Sequence, residues 1–252
     1  MTPDSFSDGG KFFAIKKALA QADKLIADGA EIIDVGAEST NPKSRPLSPT
    51  EEWKRLENLL PELLEKYPGR ISVDSYHPET IEHAAQLGPI IINDVTGFSD
   101  PAMMRLAVDY DLTCIISHLP HEFGDDILAA HQEKPVDSLT QVIDELLERR
   151  DELAGLGIPY SQIILDPGIG FGKTMRLNWQ LLEFAKHISD HEVMIGHSRK
   201  RFLGSSPKTG APLPDGDKLR MSDEANLLAA KIAKDSGAAY LRVHDPSLYA
   251  DL

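Results

Sequence analysis

The sequence predicts an α/β fold, a (β/α)8 barrel whose first strand is missing from this chain. Seven short apolar segments alternate with helical stretches, the order of a parallel sheet in which each crossover is a helix. Polar side chains follow every apolar segment rather than one crossover, as on the active face of a barrel. An open doubly wound sheet has less support, because no GxGxxG or GxxxxGK[ST] loop follows a predicted strand.

Each predicted strand is a run of β-branched or large apolar residues, followed by polar residues with Gly or Pro. Unbroken apolar runs are typical of strands that are buried on both faces. In chain order the segments read AEIIDVGAEST, RISVDSY, PIIINDVTG, LTCIISHLP, IILDPGIGFG, EVMIGHSRK and AYLRVHDP.

The intervening segments repeat apolar residues at helical spacing and carry start and stop signals. The first, AIKKALAQADKLIADGA, ends near Gly29. The second, SPTEEWKRLENLLPELLEKYPG, begins with Ser48 as N-cap and Glu51 as the partner of a capping box. Two later segments, SLTQVIDELLERRDELAGLG and SDEANLLAAKIAKDSG, follow the same pattern. No linker or composition shift marks a second domain, so residues 1–252 are predicted to form one.

Composition limits the classes of function. A formal charge of −14 argues against binding to a nucleic-acid backbone. The single cysteine, Cys114, excludes an intramolecular disulfide framework. No segment resembles a signal peptide, and the longest apolar runs are only strand-length. We therefore expect a cytoplasmic protein that binds small molecules and neither nucleic acid nor a membrane.

The residues that could carry chemistry are the polar residues after each predicted strand. They are Asp34, Glu38, Thr40, Asp74, Asn93, Asp94, His118, Asp166, Ser198, Arg199, Lys200, Arg242, His244 and Asp245. Carboxylates accept from ring N–H and amino groups, so Asp74, Asn93 and Asp166 suit the donor-rich edge of a heterocycle. Arg242 and His244 alternate with Val243 and should point the same way, an arrangement that suits a phosphate or pyrophosphate.

Seven collinear motifs carry a family resemblance over essentially the whole chain. They are TPDSFSDGG, DVGAEST, ISVDSY, INDVTG, LDPGIGFGKT, GHSRKRFLG and RVHDP, and in this order they resemble dihydropteroate synthases. The resemblance implies a (β/α)8 barrel, a homodimer and a sulfonamide target in folate biosynthesis. It also implies a reaction: p-aminobenzoate joins 6-hydroxymethyl-7,8-dihydropterin pyrophosphate with Mg²⁺, giving 7,8-dihydropteroate and pyrophosphate.

The resemblance further implies roles for individual residues. The pterin ring would be bound by Asp74, Asn93, Asp166 and Lys200. The pyrophosphate would be bound by Arg242, His244 and Thr40. The p-aminobenzoate pocket would be bordered by Phe171, Ser198 and Pro42. The residues expected to carry catalysis are Asp166, Lys200, Arg242 and His244.

Two departures from the family pattern bear on these expectations. The family carries a metal-binding Asn on its first strand, which here would precede Met1, so we expect no metal ligand within this chain and a true start upstream. Asn41 stands where the family commonly has Arg, which bears on p-aminobenzoate binding.

Two other functions remain open at this stage. A pterin-binding paralogue without turnover would keep the same polar residues. A methyltetrahydrofolate–corrinoid methyltransferase would share Asp74, Asn93 and Asp166, but that class lacks the SRK and RVH motifs that are present here.

Overall fold

A computed structural model describes residues 11–38, 46–121, 135–188 and 190–252. The strands are β1 (Ile33–Val35), β2 (Ile71–Asp74), β3 (Ile91–Asp94), β4 (Thr113–Ser117), β5 (Ile163–Asp166), β6 (Glu192–Ile195) and β7 (Tyr240–Leu241). The helices are α1 (Lys11–Ala27), α2 (Pro49–Leu56), α3 (Leu60–Lys66), α4 (Pro78–Leu87), α5 (Pro101–Asp109), α6 (Leu139–Gly155), α7 (Met175–Gln180), α8 (Gly216–Leu219) and α9 (Asp223–Asp235). Short 3₁₀ helices span Tyr160–Gln162, Leu181–His187, Arg201–Gly204 and Pro246–Tyr249.

The strands form one parallel sheet in which every neighbour in sequence is also a neighbour in space. The order is β1-β2-β3-β4-β5-β6-β7, as a succession of βαβ units requires. The sheet curls: Arg242, which directly follows β7, reaches Asp34 in β1 and forms an ion pair with it. The predicted fold is confirmed: this is the arrangement of a (β/α)8 barrel, with seven strands in the described part of the chain.

Alternation along the strands separates two apolar layers. Outward-facing residues such as Ile71 and Val73 pack against the helices in the large core. On the inner face, Ile115, Ile164 and Met194 form a second, smaller cluster inside the barrel. Both faces of the sheet are therefore buried, which explains the unbroken apolar runs in the sequence. Toward the carboxyl ends of the strands the inner positions become polar.

The second predicted helix is two helices. The capping box at Ser48 and Glu51 forms as predicted, but α2 ends at Leu56 and α3 begins at Leu60. Pro61 lies in the first turn of α3. Proline has no N–H to donate, and its ring would clash with the carbonyl four residues earlier, so a continuous helix cannot form there.

The last strand is shorter than the alternation of LRVHDP predicts. Strand β7 ends at Leu241. The N–H of Arg242 still donates to the carbonyl of Ile195 in β6 over 3.0 Å, whereas His244 lies further along and contacts Ser198. Among the described residues, no helix has the length and apolar character needed to cross a membrane.

Candidate active site

Three strand-end residues from β1, β2 and β3 meet Arg242 inside the barrel. The Nη2 of Arg242 donates to Oδ2 of Asp34 over 2.5 Å and also to Oδ2 of Asp74. The Nδ2 of Asn93 lies 3.2 Å from Oδ1 of Asp34. The sheet register places Asp74 directly beside Asn93. A cation and an amide are thus both fixed by carboxylates on the inner face of the barrel.

The two carboxylates of this cluster titrate differently. Burial opposes ionisation of Asp34, but the Arg242 charge and the hydrogen bond from Ser72 lower its pKa below the ordinary value. For Asp74, burial raises the pKa to about 6, because the attraction of Arg242 does not offset it and Asp34 repels a second negative charge. Asp34 therefore provides the more permanent negative charge beside Arg242.

Asp166 ends β5 and is held by the glycine-rich loop that follows it. Its Oδ1 accepts from the backbone N–H of Gly168 over 2.8 Å, and its Oδ2 accepts from Ser117 over 3.3 Å. Lys173 fastens the same loop: its buried Nζ donates to the carbonyls of His118, Gly168 and Phe171 at 2.9–3.1 Å. Burial lowers the pKa of Lys173 to about 7.

Lys200 crosses the mouth of the barrel toward Asp166. Its Nζ donates to the carbonyl of Ile169 and lies 5.2 Å from the centre of the Phe171 ring. Burial lowers the pKa of Lys200 to about 8, with the charge of Arg242 acting in the same direction and Asp166 opposing it. A Cβ on Gly196 would lie 3.6 Å from this Nζ and 3.9 Å from Oδ2 of Asp166, so the glycine leaves the floor between them open.

His244 and Ser198 form the rim next to Arg242. The Nδ1 of His244 is 3.0 Å from Oγ of Ser198. Burial and the charges of Arg199 and Arg242 lower the pKa of His244. At neutral pH the imidazole is therefore neutral and can donate one N–H to an anion.

The remaining strand-end candidates differ in position. His118 contacts Glu145 of α6 through Nε2 at 3.1 Å and belongs to the packing between the sheet and that helix. Asp94 caps its own loop, accepting from the N–H groups of Thr96 and Phe98. Thr40 and Pro42 lie outside the described residues.

Two residues of the site, the partly buried Asp34 and the buried Lys173, were not among the residues to which the sequence assigned a role. Asp34 was noted only as one polar strand end, and its alternation with Ile33 and Val35 was the available signal that it faces the barrel interior. Lys173 carried no signal, since a lysine in a Gly-rich loop is usually solvated. Its role depends on three carbonyls that only the folded loop brings together.

One cleft lies away from this end of the barrel. A cavity of about 250 Å³ is lined by Pro61, Leu64, Pro68, Leu87 and Pro89. These residues lie at the ends of α3 and α4, near where β2 and β3 begin. In barrels of this kind that face contributes stability, and chemistry occurs at the carboxyl ends of the strands.

Comparison with known proteins identifies the family of this chain. The family described as pterin binding enzyme matches residues 1–244. The chain belongs to the pterin-binding enzymes. Within this family, a dihydropteroate synthase of Streptococcus pyogenes serotype M6 is 36% identical over 256 residues, covering 100% of this chain and 90% of that protein. A dihydropteroate synthase of Haemophilus influenzae is 34% identical, covering 100% of this chain and 88% of that protein.

Solved structures of pterin-binding enzymes share the fold. A dihydropteroate synthase of Anaplasma phagocytophilum with bound 6-hydroxymethylpterin-monophosphate superposes with a TM-score of 0.80 at 33% identity, covering 98% of this chain and 91% of that one. The Xanthomonas albilineans enzyme with 4-aminobenzoic acid gives a TM-score of 0.80 at 29% identity, covering 99% of this chain and 86% of that one.

Proposed function

We propose that this chain is a dihydropteroate synthase: it condenses 6-hydroxymethyl-7,8-dihydropterin pyrophosphate with p-aminobenzoate and releases pyrophosphate. The relatives above carry that name over nearly the whole length of the chain. Turnover, beyond pterin binding, is supported by the position of two groups that could bind the leaving anion next to the residues proposed to bind the pterin. The Arg242 cation contacts Asp74, and the neutral donor His244 lies on the rim next to it; a protein that only bound pterin would need no such anion-binding pair.

The pterin is proposed to lie over the inner ends of β2, β3 and β5. Asp74 and Asp166 would accept from its amino group and ring N–H, Asn93 would pair with the ring amide, and Lys200 would donate to a ring nitrogen or carbonyl. Asp166 is anchored by the N–H of Gly168 and can therefore hold a charge at a fixed place. This arrangement favours positive charge that develops on the pterin.

The reaction is a displacement at the exocyclic CH₂ of the pterin. The aniline nitrogen of p-aminobenzoate forms the new C–N bond while the C–O bond to pyrophosphate breaks. The electron pair leaves on the pyrophosphate oxygen, and the aniline proton passes to solvent. Arg242 and neutral His244 would stabilise the departing anion, which is electrostatic catalysis rather than general acid–base catalysis. Phe171 and Ser198, with Thr40 and Pro42 from the segment outside the described residues, would complete the p-aminobenzoate and pyrophosphate contacts.

Mg²⁺ is proposed to arrive with the pyrophosphate. Magnesium is commonly bound by substrate phosphates and only one or two carboxylates. The described residues do not build a metal site on their own, since no cluster of three His, Cys, Asp or Glu side chains is found among them, and Asp34 and Asp74 both pair with Arg242. When bound, the ion would neutralise charge on the leaving group.

A homodimer and a cytoplasmic location are also proposed. Leu219, Met221 and Leu228, in and around α8 and α9, are 37%, 49% and 53% exposed, an apolar surface that a second copy would cover. The free thiol of Cys114 is compatible with a reducing compartment. Residues 1–252 are proposed to act as one domain, and sedimentation would measure its oligomeric state.

The decisive experiment follows pyrophosphate release from the pterin pyrophosphate, with and without p-aminobenzoate, in Mg²⁺ and again in excess EDTA. Release that depends on p-aminobenzoate, with dihydropteroate as product, is the expected result. A folded protein that binds 6-hydroxymethylpterin but releases no pyrophosphate would be a pterin-binding paralogue, and the synthase proposal would be wrong. Activity unchanged in EDTA would remove Mg²⁺ from the proposal.

We expect kcat/KM for the pterin substrate to depend on pH as a bell with limbs near 6 and 8. Asp74 must be ionised to accept from the pterin, and its pKa is about 6. Lys200 must be protonated to donate, and its pKa is about 8. Activity therefore falls as the pH drops below 6 or rises above 8. Initial rates at subsaturating substrate between pH 5 and 9 would measure the profile.

Two variants separate enzyme groups from substrate groups that titrate in the same range. Asp74→Asn has no carboxylate to protonate, so its lower activity should lack the acid limb. Lys200→Arg keeps its charge above pH 8, so its alkaline limb should move to higher pH. If both variants keep the wild-type limbs, the titrating groups belong to the substrate and the assignment is wrong.

A further inference from the structure

Asp34 is a partly buried carboxylate, with 21% of its side chain exposed, that the proposed reaction does not use directly. Its Oδ1 accepts from Oγ of Ser72 over 2.5 Å and from Nδ2 of Asn93 over 3.2 Å. Its Oδ2 accepts from Nη2 of Arg242 over 2.5 Å and lies 3.3 Å from Nδ2 of Asn93. Each oxygen thus faces two protein donors, so Asp34 is engaged with its neighbours rather than offered to a ligand.

The atoms involved show what this engagement does to Arg242. Both of its carboxylate contacts, to Asp34 and to Asp74, are made by Nη2. Nη2 makes the shortest contacts, and no hydrogen bond from Nη1 or Nε to another described residue is found, so these two nitrogens can donate elsewhere. Both parallel donor pairs of a guanidinium, Nε with Nη2 and Nη1 with Nη2, include Nη2, so Nη1 and Nε can each donate a single hydrogen bond to a phosphate from a plane whose orientation is fixed. The Arg242 side chain is 39% exposed, so these donors can reach a ligand.

We propose that Asp34 is a positioning residue that joins the pterin and pyrophosphate ends of the site. Through Asn93 it orients an amide proposed to bind the pterin, and through Arg242 it orients the guanidinium proposed to bind the leaving group. It also shares the Arg242 charge with Asp74, so two carboxylates hold the guanidinium. The inference rests on the proposed function, because it assigns Asp34 a place in that same site.

The test is a double-mutant cycle on the binding of inorganic pyrophosphate, measured by calorimetry in the presence of 6-hydroxymethylpterin. Asp34→Asn keeps the size of the side chain and removes the charge that fixes Nη2. We expect it to weaken pyrophosphate binding on the order of 10- to 100-fold, the range for residues that orient a ligand's direct contacts. In an Arg242→Ala background, where Lys200 and His244 remain to bind the anion, Asp34→Asn should change the affinity less than about twofold, because the residue it orients is gone.

Two results would overturn the proposal. Equal weakening with and without Arg242 would show a general structural effect. Tighter pyrophosphate binding by Asp34→Asn would show that Asp34 competes with the anion for Arg242. In steady-state kinetics, Asp34→Asn should have a higher KM for the pterin substrate and a lower kcat than the wild type. Its KM for p-aminobenzoate should be unchanged. A rise in both KM values would again point to general damage.

Asp94→Asn is the matched control. Asp94 is a buried carboxylate, also at a strand end, but its partners are Thr96 and Phe98 of its own loop. It should lower the melting temperature without changing pyrophosphate affinity. If Asp34→Asn fails to fold, Ser72→Ala removes one donor to Asp34 while keeping its charge, and should weaken pyrophosphate binding about threefold only when Arg242 is present.

The same experiments distinguish failure of this inference from failure of the proposed function. If the wild-type chain binds pyrophosphate but forms no dihydropteroate, the synthase proposal is wrong. The double-mutant cycle on pyrophosphate binding would still test whether Asp34 acts through Arg242. A wild-type synthase whose cycle shows no coupling between the two residues would remove only the role of Asp34.

Discussion

Arg242→Ala should lower kcat of the condensation by about 10³-fold, the scale of removing a cation that stabilises charge developing in the transition state. The guanidinium is fixed by two carboxylates, so little reorganisation is needed when the pyrophosphate begins to leave. Arg242→Lys keeps a charge but loses the planar fork and should cost about 10²-fold. Steady-state rates with both substrates saturating would measure these losses.

Folding must be monitored alongside, because removing Arg242 leaves Asp34 and Asp74 without their shared cation. Circular dichroism and p-aminobenzoate binding would show whether the barrel is intact. Arg149→Ala is a suitable control: Arg149 pairs with Glu152 on the surface of α6 and should change stability by less than about 1 kcal/mol and kcat not at all. A folded Arg242→Ala variant with normal kcat would contradict the role given to the guanidinium.

Gly168→Ala should destabilise the fold by about 3 kcal/mol or more. Gly168 has φ +63°, and a Cβ there would lie 2.1 Å from the carbonyl oxygen of His118. That carbonyl also accepts from Lys173, so relieving the clash would disturb the hydrogen bonds of the whole loop. The loss of stability has two sources: a left-handed backbone conformation at a residue with a Cβ, and a collision of that Cβ with the backbone. Both are known causes of large mutational effects on stability. Urea unfolding with and without ligand would measure it.

Gly69→Ala isolates the strain contribution. Gly69 has φ +73°, but nothing lies within 4 Å of a Cβ built there, so its loss should be only about 1–2 kcal/mol. The difference between the two variants measures the collision with His118. Equal losses would mean that the loop after β5 can move aside easily.

Activity of Gly168→Ala should fall too, since Asp166 is anchored by the N–H of Gly168.

Much of the fold could be predicted from local patterns. The strand order follows from alternating strand and helix segments, because a parallel neighbour requires a crossover. The break between α2 and α3 was also visible in the local sequence, as Pro61. The prediction of one helix gave more weight to the helical periodicity on either side of this proline. The length of β7 could not be predicted from local sequence. It is set by the pairing with β6, which includes only Tyr240 and Leu241 of this strand.

The site was predictable in membership but not in its internal contacts. Asp74, Asn93, Asp166, Lys200, Arg242 and His244 lie at the same end of the barrel, and their substrate roles remain predictions. The pairing of Arg242 with Asp34 depends on how far the sheet curls, which no local pattern specifies. Lys173 depends on backbone carbonyls from two loops, and carbonyl positions follow from the folded chain rather than from residue types.

The contact between Arg242 and Asp74 joins residues 168 positions apart. A chain that emerges from the ribosome N-terminus first can pair β1 to β6 in order, each strand with the one before it. The cluster around Asp34 closes only when the segment after β7 docks. Catalytic activity would therefore appear late in synthesis, and only once the whole sheet has assembled. Nascent chains that stop before this segment would carry two partly buried carboxylates without the Arg242 counter-charge, so we expect them to be less stable than the full chain.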